Sequence, residues 1–446
     1  MILDYLFKRI KSYKDEIFII QGNSKKLYHD LDDAIGYFTQ FYIDNNIKPT
    51  DIILVKSNLS INFIALFLVL IKNNNIVIPL NNKTRLKDDA INTITNYNIK
   101  IDFNDKDINV YKKNSNITND LIKNLIAKNL PGVILFTSGT SGEPKAILHD
   151  AKRLLESYKK EGRKHTTFLF MSHDHIGGLN TLLYNLFNGG TLIVNSTYNV
   201  DNILNDIHKH KITLLPTTPS FLNLMLLSKT FKKYDLSSLR LITYGTEPMD
   251  SRTLQKLNDS LPQIKIRQTY GMTEIGIINI KSKSSSSLEI KINKKENDYK
   301  IINDILYIKS NTSMIGYLNY DSPFTLDGWM NTGDRVSMHG EYIKILGRES
   351  ELINVGGEKV YPIEVENILK EIDNISDAIV YAEKNRILGQ IVAADIMPIN
   401  TVHHKNDFII LIKKYCATKL DNYKIPIKVN LVNKIELTDR FKKARI

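Results

Sequence analysis

Short β-rich runs separated by helical patterns constrain this chain more than any other feature. "IILVKS", "NIVIPL", "GVILFTS", "TFLFMS", "GTLIVNS", "ITLLPTTP", "LRLITYG" and "IKIRQTYG" are bounded by turn residues and rich in Ile, Leu, Val and Thr, as strands buried in a sheet are. Helical spacing between them predicts helices over residues 59–71, 151–161, 179–187 and 219–227, long enough to make crossover connections. Strands joined in this way pack as an α/β architecture with parallel or mixed sheets, so the expected fold class is α/β. No internal repeat interrupts the pattern.

The texture changes after Gly276. "KSKSSSSLEIKINKKENDYK" (281–300) is Ser- and Lys-rich and reads as an exposed loop or hairpin. Beyond "KILGRES", the stretch "INVGGEKVYP" predicts a hairpin with a Gly-Gly turn, followed by a helix over 363–372, a strand over 378–381 and a helix over 406–419. A large N-terminal domain over 1–347 and a small α+β domain over 348–446 are therefore expected.

Cys416 is the one cysteine, which excludes a disulfide within the chain and fits a reducing, cytoplasmic compartment. "MILDYLFKRIKSYKDE" has neither a continuous apolar run nor a cleavage site and reads as an ordinary first helix. The most apolar run, "INFIALFLVLI" (61–71), falls short of the about 20 residues that cross a bilayer, so no integral membrane association is expected. Sixty basic against 48 acidic residues give a net charge of +12. That balance favours anionic partners such as nucleotides, coenzyme A or an acidic carrier protein, although solvated Lys- and Asn-rich faces explain it as well. No block of aromatic residues interleaved with Arg or Lys marks a nucleic-acid surface, and no nucleic-acid partner is expected.

The segment "VILFTSGTSGEPKAILHD" (133–150) carries the chemistry. Gly139 and Gly142 let the backbone approach a ligand. Thr137, Ser138, Thr140 and Ser141 add hydroxyls beside backbone N–H groups, and Lys145 adds a cation. The spacing is not that of a P-loop, because Ala146 follows Lys145. On composition alone a flexible linker is the alternative. With "VILF" as a strand before it and "AKRLLESYKK" as a helix after it, the segment is expected to be a strand–loop–helix phosphate site of the kind open sheets use.

"TYGMTEIG", "WMNTGDRV" and "LGRESELINVGGEKVYPIEVE" follow in that order. Together with the Gly/Ser/Thr segment they resemble the adenylate-forming superfamily of acyl-CoA synthetases, non-ribosomal peptide adenylation domains and luciferases, over residues 53–445. The resemblance implies a large domain with a small mobile one. It also implies a reaction in which a carboxylate attacks the α-phosphate of ATP to give an acyl-adenylate and pyrophosphate, and the acyl group then passes to a thiol.

By this resemblance Thr137, Ser138, Gly139, Thr140, Ser141, Gly142 and Lys145 cover the β and γ phosphates. Thr273 bonds the α-phosphate, and Glu274 supplies a carboxylate oxygen to Mg²⁺. Tyr270, with Gly271 and Met272, packs against adenine, and Gly245, Thr246 and Glu247 of "YGTEPM" lie at the base. Asp334 and Arg348 reach the ribose. "ELTDRFKKARI" matches the superfamily's C-terminal signature through Thr438 and Arg445, which makes Lys442 the catalytic lysine, with Lys443 beside it. Two departures stand out: Phe441 where glycine is usual, and Ser350 where the hinge usually carries Asp or Lys. Gly356 and Gly357 would leave space for a pantetheine arm.

"MSHDHIGGLNTLL" would border the acyl pocket, with His175 at the position of a His common in acyl-CoA synthetases and expected, with Lys442, Thr273 and Lys145, to be catalytic, and with Gly177 and Gly178 leaving open volume. Asp174 next to it admits another reading, because amino-acid-activating members pair an Asp here with the substrate ammonium. The expected function is an acid:thiol ligase that transfers a small aromatic or short to medium aliphatic acid to CoA or to the phosphopantetheine of an acidic acyl-carrier protein. The alternatives are an amino-acid:carrier-protein ligase and a nucleotide-binding protein that has lost catalysis.

Overall fold

The computed structural model describes residues 2–103, 107–138, 143–195, 198–437 and 443. Among these, two seven-stranded sheets form the N-terminal half. One runs in the order Gly316–Tyr317, Pro144–Asp150, Gly132–Ser138, Ile76–Leu80, Ile52–Lys56, Ile99–Phe103, Ile108–Lys112. The other runs Lys265–Gln268, Leu241–Tyr244, Leu214–Thr217, Thr166–Phe168, Thr191–Val194, Ile17–Gln21, Ser24–Leu27. Both are mixed with parallel centres, the first with antiparallel pairs at both edges and the second with one only, at Ile17–Gln21 and Ser24–Leu27.

Helix Ile61–Lys72 explains how the sheets are joined. Its nine residues Phe63 to Ile71 are all buried, because it lies in the core between the inner faces of the two sheets, with Val55, Val77 and Leu135 from one and Ile19 and Leu192 from the other. A helix apolar on every side is stable in water only when covered on every side. Ser60 caps it, its side chain accepting from the Phe63 N–H.

The polar stretch after Gly276 is an antiparallel hairpin, Ile280–Ser282 with Glu289–Ile292, at the edge of a six-stranded antiparallel sheet. That sheet contributes the long strands Met330–His339 and Tyr342–Arg348. From Ile353 onward the chain builds a core of its own, with helices Pro362–Leu369 and Lys405–Ala417 packed on a sheet around the hairpin Ile375–Asn385 and Gly389–Pro398. "INVGGEKVYP" is the expected hairpin, with Gly356 and Gly357 at φ +60° and +99° in its turn. No helix among the described residues is long and apolar enough to cross a membrane.

One local expectation fails. "PKAILHD" is a strand, Pro144–Asp150, paired antiparallel with Gly132–Ser138 and with Lys145 opposite Thr137. The helix starts only at Ala151, where Asp150 accepts from the Lys152 and Arg153 N–H groups, and it ends at Glu156. The phosphate segment is therefore strand–loop–strand and no helix N-terminus follows it directly. Proline is tolerated at the first position of a strand, and a short apolar run does not distinguish helix from strand. Gly139, Thr140, Ser141 and Gly142 lie outside the described residues.

Candidate active site

Where strands Leu241–Tyr244 and Lys265–Gln268 end, a cavity of about 250 Å³ opens against the six-stranded sheet and the C-terminal unit. Seven residues expected at the nucleotide line it: Gly245, Thr246, Glu247, Tyr270, Gly271, Asp334 and Arg348. Local geometry accounts for the choice of Gly245, since a Cβ there would lie 2.4 Å from Thr269 Oγ1. Thr246 adopts φ +73°, a left-handed turn that L-residues other than Asn and Asp rarely take.

Asp334 is the polar centre of the cavity. Its Oδ2 accepts from the Tyr270 hydroxyl at 2.6 Å, and its Oδ1 lies 3.3 Å from Arg348 Nε. Burial raises the Asp334 pKa against the pull of Arg348 and the Tyr270 hydrogen bond. Burial, reinforced by the Asp334 charge, pushes the Tyr270 hydroxyl far up, so it stays a donor. Glu247 accepts from the Ser220 N–H at 2.7 Å, and burial raises its pKa too.

A second group joins the phosphate hairpin to the Thr273–Glu274 turn. Tyr317 donates its hydroxyl to Glu274 Oε1 at 2.7 Å, and Lys145 Nζ sits 5.0 Å and 5.2 Å from the ring centroids of Tyr317 and Tyr320. Sequence reasoning missed Tyr317; "IGYLNY" carries no charge and offered only its aromatic content as a signal. His149, on the same hairpin, faces the Thr273 backbone, and burial lowers its pKa to about 4. Glu274 keeps a second carboxylate oxygen, and no group of three or more His, Cys, Asp or Glu side chains that could hold a metal occurs among the described residues. This donor set suits Mg²⁺ carried on phosphates, which takes one or two protein carboxylates, rather than an ion caged by protein alone.

His175 and Asp174 do not line the cavity. His175 stands at the N-cap of helix Ile176–Asn188, its Nε2 3.8 Å from Asp174 Oδ1. Asp174 is 4% exposed and accepts from Thr84 Oγ1 at 2.6 Å and the Asn81 N–H at 3.1 Å. Gly178 leaves no open volume, since a Cβ there would lie 1.9 Å from the Ser172 carbonyl oxygen, whereas at Gly177 a Cβ would meet only the flexible Met171 side chain, with Sδ at 2.7 Å. Gly178 serves close packing of the helix start on the preceding loop. Gly356 and Gly357 are likewise outside the cavity lining.

Lys442 lies outside the described residues. Its neighbour Lys443 is inside, at the seam between the C-terminal unit and the cavity, where Nζ meets Asp377 Oδ1 at 2.7 Å and the Ala378 carbonyl at 2.6 Å. Lys370, Asp377 and Asp250 complete the wall there, and sequence reasoning singled out none of them.

Residues 6–305 match the model of the AMP-binding enzyme family, and residues 364–442 match the AMP-binding enzyme C-terminal domain. The chain belongs to the AMP-binding enzyme family. This is the adenylate-forming group whose motifs the sequence carries. Among curated relatives, 4-coumarate-CoA ligase 1 of Narcissus pseudonarcissus is 29% identical over 65% of this chain and 59% of its own length. Indoleacetate–CoA ligase of Aromatoleum aromaticum is 29% identical over 60% of this chain and 58% of its own. The chain thus spans about three fifths of the curated relatives it matches. The fold is that of an anthranilate CoA ligase crystallised with anthranoyl-AMP, at TM-score 0.83 and 17% identity over 99% of this chain and 95% of that one. It is equally that of ATP-bound MatB from Rhodopseudomonas palustris, at TM-score 0.80 and 18% identity over 98% and 96%.

Proposed function

We propose that this AMP-binding family member is an ATP-dependent acid:thiol ligase that forms an acyl-adenylate, releases pyrophosphate and passes the acyl group to CoA or a carrier-protein phosphopantetheine. The observation that supports this most is the convergence of Gly245, Thr246, Glu247, Tyr270, Asp334 and Arg348, from distant parts of the chain, on one cavity. Asp334 accepts from ribose hydroxyls there, and its contacts with Tyr270 and Arg348 hold it in register for them. Lys145 and the backbone of the phosphate hairpin neutralise the β and γ phosphates, while Thr273 donates to the α-phosphate. A carboxylate oxygen of the acid attacks the α-phosphorus and pyrophosphate departs, so negative charge moves without a covalent enzyme intermediate. When bound through Glu274, Mg²⁺ supplies further neutralisation of the phosphates. Lys442 supplies a cation to the adenylation step, and the hairpin turn at Gly356 and Gly357 admits the pantetheine arm in the second step.

The acid lacks an α-ammonium. A buried ammonium without a carboxylate costs several kcal/mol, and Asp174 is committed to Thr84 and Asn81. Coumarate, indoleacetate and anthranoyl in the names of similar proteins favour a small aromatic acid. We divide the chain into domains over 1–347 and 348–446, and assign it to the cytoplasm from its lone buried thiol. The test is exchange of labelled pyrophosphate into ATP across a panel of carboxylic and amino acids with Mg²⁺. Acid-dependent exchange is expected. ATP binding without exchange for any acid would instead favour the reading that Phe441 and Ser350 mark lost catalysis.

A further inference from the structure

Five charged side chains, Asp250, Lys370, Asp377, Lys443 and Glu366, form a largely buried cluster across the seam between the large unit and the C-terminal unit, with Glu366 Oε2 3.8 Å from Lys443 Nζ. Lys370, one residue past helix Pro362–Leu369, sets Nζ 2.9 Å from Asp250 Oδ2 and 2.9 Å from Asp377 Oδ1. Asp377 Oδ1 is shared with Lys443. Asp250 belongs to the opposite side, where its Oδ1 caps helix Ser251–Ser260 through the Thr253 N–H at 2.7 Å. Lys370 is 6% and Asp250 5% exposed. The cluster borders the nucleotide cavity, and the Lys443 N–H reaches Glu247 Oε2 at 3.5 Å.

Buried ion pairs of this kind add little adhesion, because separated ions regain water, but one partner left alone in a closed seam is strongly penalised. Lys370 has a carboxylate on each side of the seam, so the seam closes at low cost only in the register that brings Asp250 to Lys370. The rim pair Arg252–Asp373 beside them joins a half-buried arginine to a fully exposed carboxylate at 3.7 Å and contributes little to that selection.

We propose that Lys370 and Asp250 are a positioning pair that sets the C-terminal unit, and Lys443 with it, against the nucleotide cavity for adenylation. The proposal rests on the acid:thiol ligase reading above. Asp250→Asn keeps a capping oxygen and the side-chain shape while removing the charge, and Lys370→Met keeps the stem. With an acid identified by the panel, each variant should lower kcat for pyrophosphate exchange about tenfold and leave KM for the acid unchanged. The double variant should be no worse than the poorer single one, as for residues acting through one contact.

A second readout does not need the acid. Spin labels at Tyr37→Cys and Ile387→Cys, both exposed at 60% and 91%, would report the distance between the units in the full chain; Cys416 is buried, its thiol pushed up to about 11, and resists labelling. With Mg²⁺-ATP present, a narrow distance distribution in the otherwise unaltered chain should broaden in both variants while the thermal transition is retained. An unchanged distribution, multiplicative loss in the double variant, or a fall in kcat matched by a rise in KM for the acid would each overturn the proposal. Broadening without exchange for any acid would sink the ligase reading and leave the pair standing.

Discussion

Replacing Asp174 separates the structural and the substrate-binding readings of one residue. In Asp174→Ala two hydrogen bonds to a buried carboxylate disappear, one from Thr84 Oγ1 and one from the Asn81 N–H. Bonds to charged acceptors are worth about 1.5–3 kcal/mol each. Asn81 and Thr84 are themselves only half-buried, so water recovers part of the loss, and a net destabilisation of about 2–4 kcal/mol is expected. Asp174→Asn, which keeps an acceptor oxygen, should lose about half as much.

The loss should depend on pH with a definite sign. Burial works to raise the Asp174 pKa, but His175, His173 and the Thr84 hydroxyl outweigh it and leave the value lowered. A carboxylate whose folded pKa is depressed stabilises the fold above the unfolded value of about 3.9, and that contribution is lost as pH falls through the folded value. Urea midpoints at constant m should therefore differ fully at neutral pH and converge below about pH 4. Adenylation is then measured on matched pairs, each an acid and its α-amino counterpart. The preference should be the same in the parent chain, Asp174→Ala and Asp174→Asn. A parent preference for the amino member above about tenfold, which is about 1.4 kcal/mol, abolished in both variants with stability intact, would refute the reasoning and make the protein an amino-acid ligase.

Three other outcomes are expected. Tyr317→Phe keeps the ring near Lys145 but removes the donor to Glu274, and should raise the Mg²⁺ concentration giving half-maximal pyrophosphate exchange by about tenfold, the scale of one charged hydrogen bond; magnesium titration of the variant checks this. His173 is buried with its ring 4.2 Å from that of Phe63, and burial lowers its pKa to about 4. The unfolded chain then binds more protons between about pH 6.5 and the folded value, so stability should fall as pH drops through that window by up to about 1.4 kcal/mol per unit, and His173→Gln should flatten the slope. Lys442→Ala should slow adenylation about 10²- to 10³-fold while sparing thioester formation from supplied acyl-adenylate. A larger adenylation defect in Lys443→Ala would move the catalytic role to Lys443.

What was legible in the sequence follows how local each signal is. Strand runs such as "IILVKS" and "NIVIPL" announce themselves because burial on both faces demands unbroken apolar residues. Gly245, Tyr270, Asp334 and Arg348 were legible through motif order, and they meet in one cavity. Gly178 was misread, since a missing side chain makes room for a ligand or for a neighbouring backbone with the same letters; here the Ser172 backbone fills the room. Asp250, Lys370 and Asp377 left no trace. Each sits among other charges, such as Glu247 and Arg252 near Asp250 or Glu371 and Asp373 near Lys370, that read as a solvated face, and only the fold brings Lys370 within 2.9 Å of both aspartates.

The misread hairpin alters how the phosphate segment works. A segment between a strand and a helix gains the positive end of the helix dipole, whereas Gly132–Ser138 and Pro144–Asp150 pair as antiparallel strands, so under the proposed function the positive charge offered to the phosphates falls to Lys145. That lysine stands in rigid register with Thr137 and holds its ammonium near the rings of Tyr317 and Tyr320. Cation–π contacts at such sites are worth about 0.5–1 kcal/mol each, less than a charge-assisted hydrogen bond to a phosphate oxygen. Under the proposed function Lys145 is therefore held without being trapped, since an arriving phosphate would displace the rings at little cost. Tyr317 meanwhile keeps its hydroxyl on Glu274, so a single tyrosine aligns the cation of the phosphate hairpin with the carboxylate that faces it.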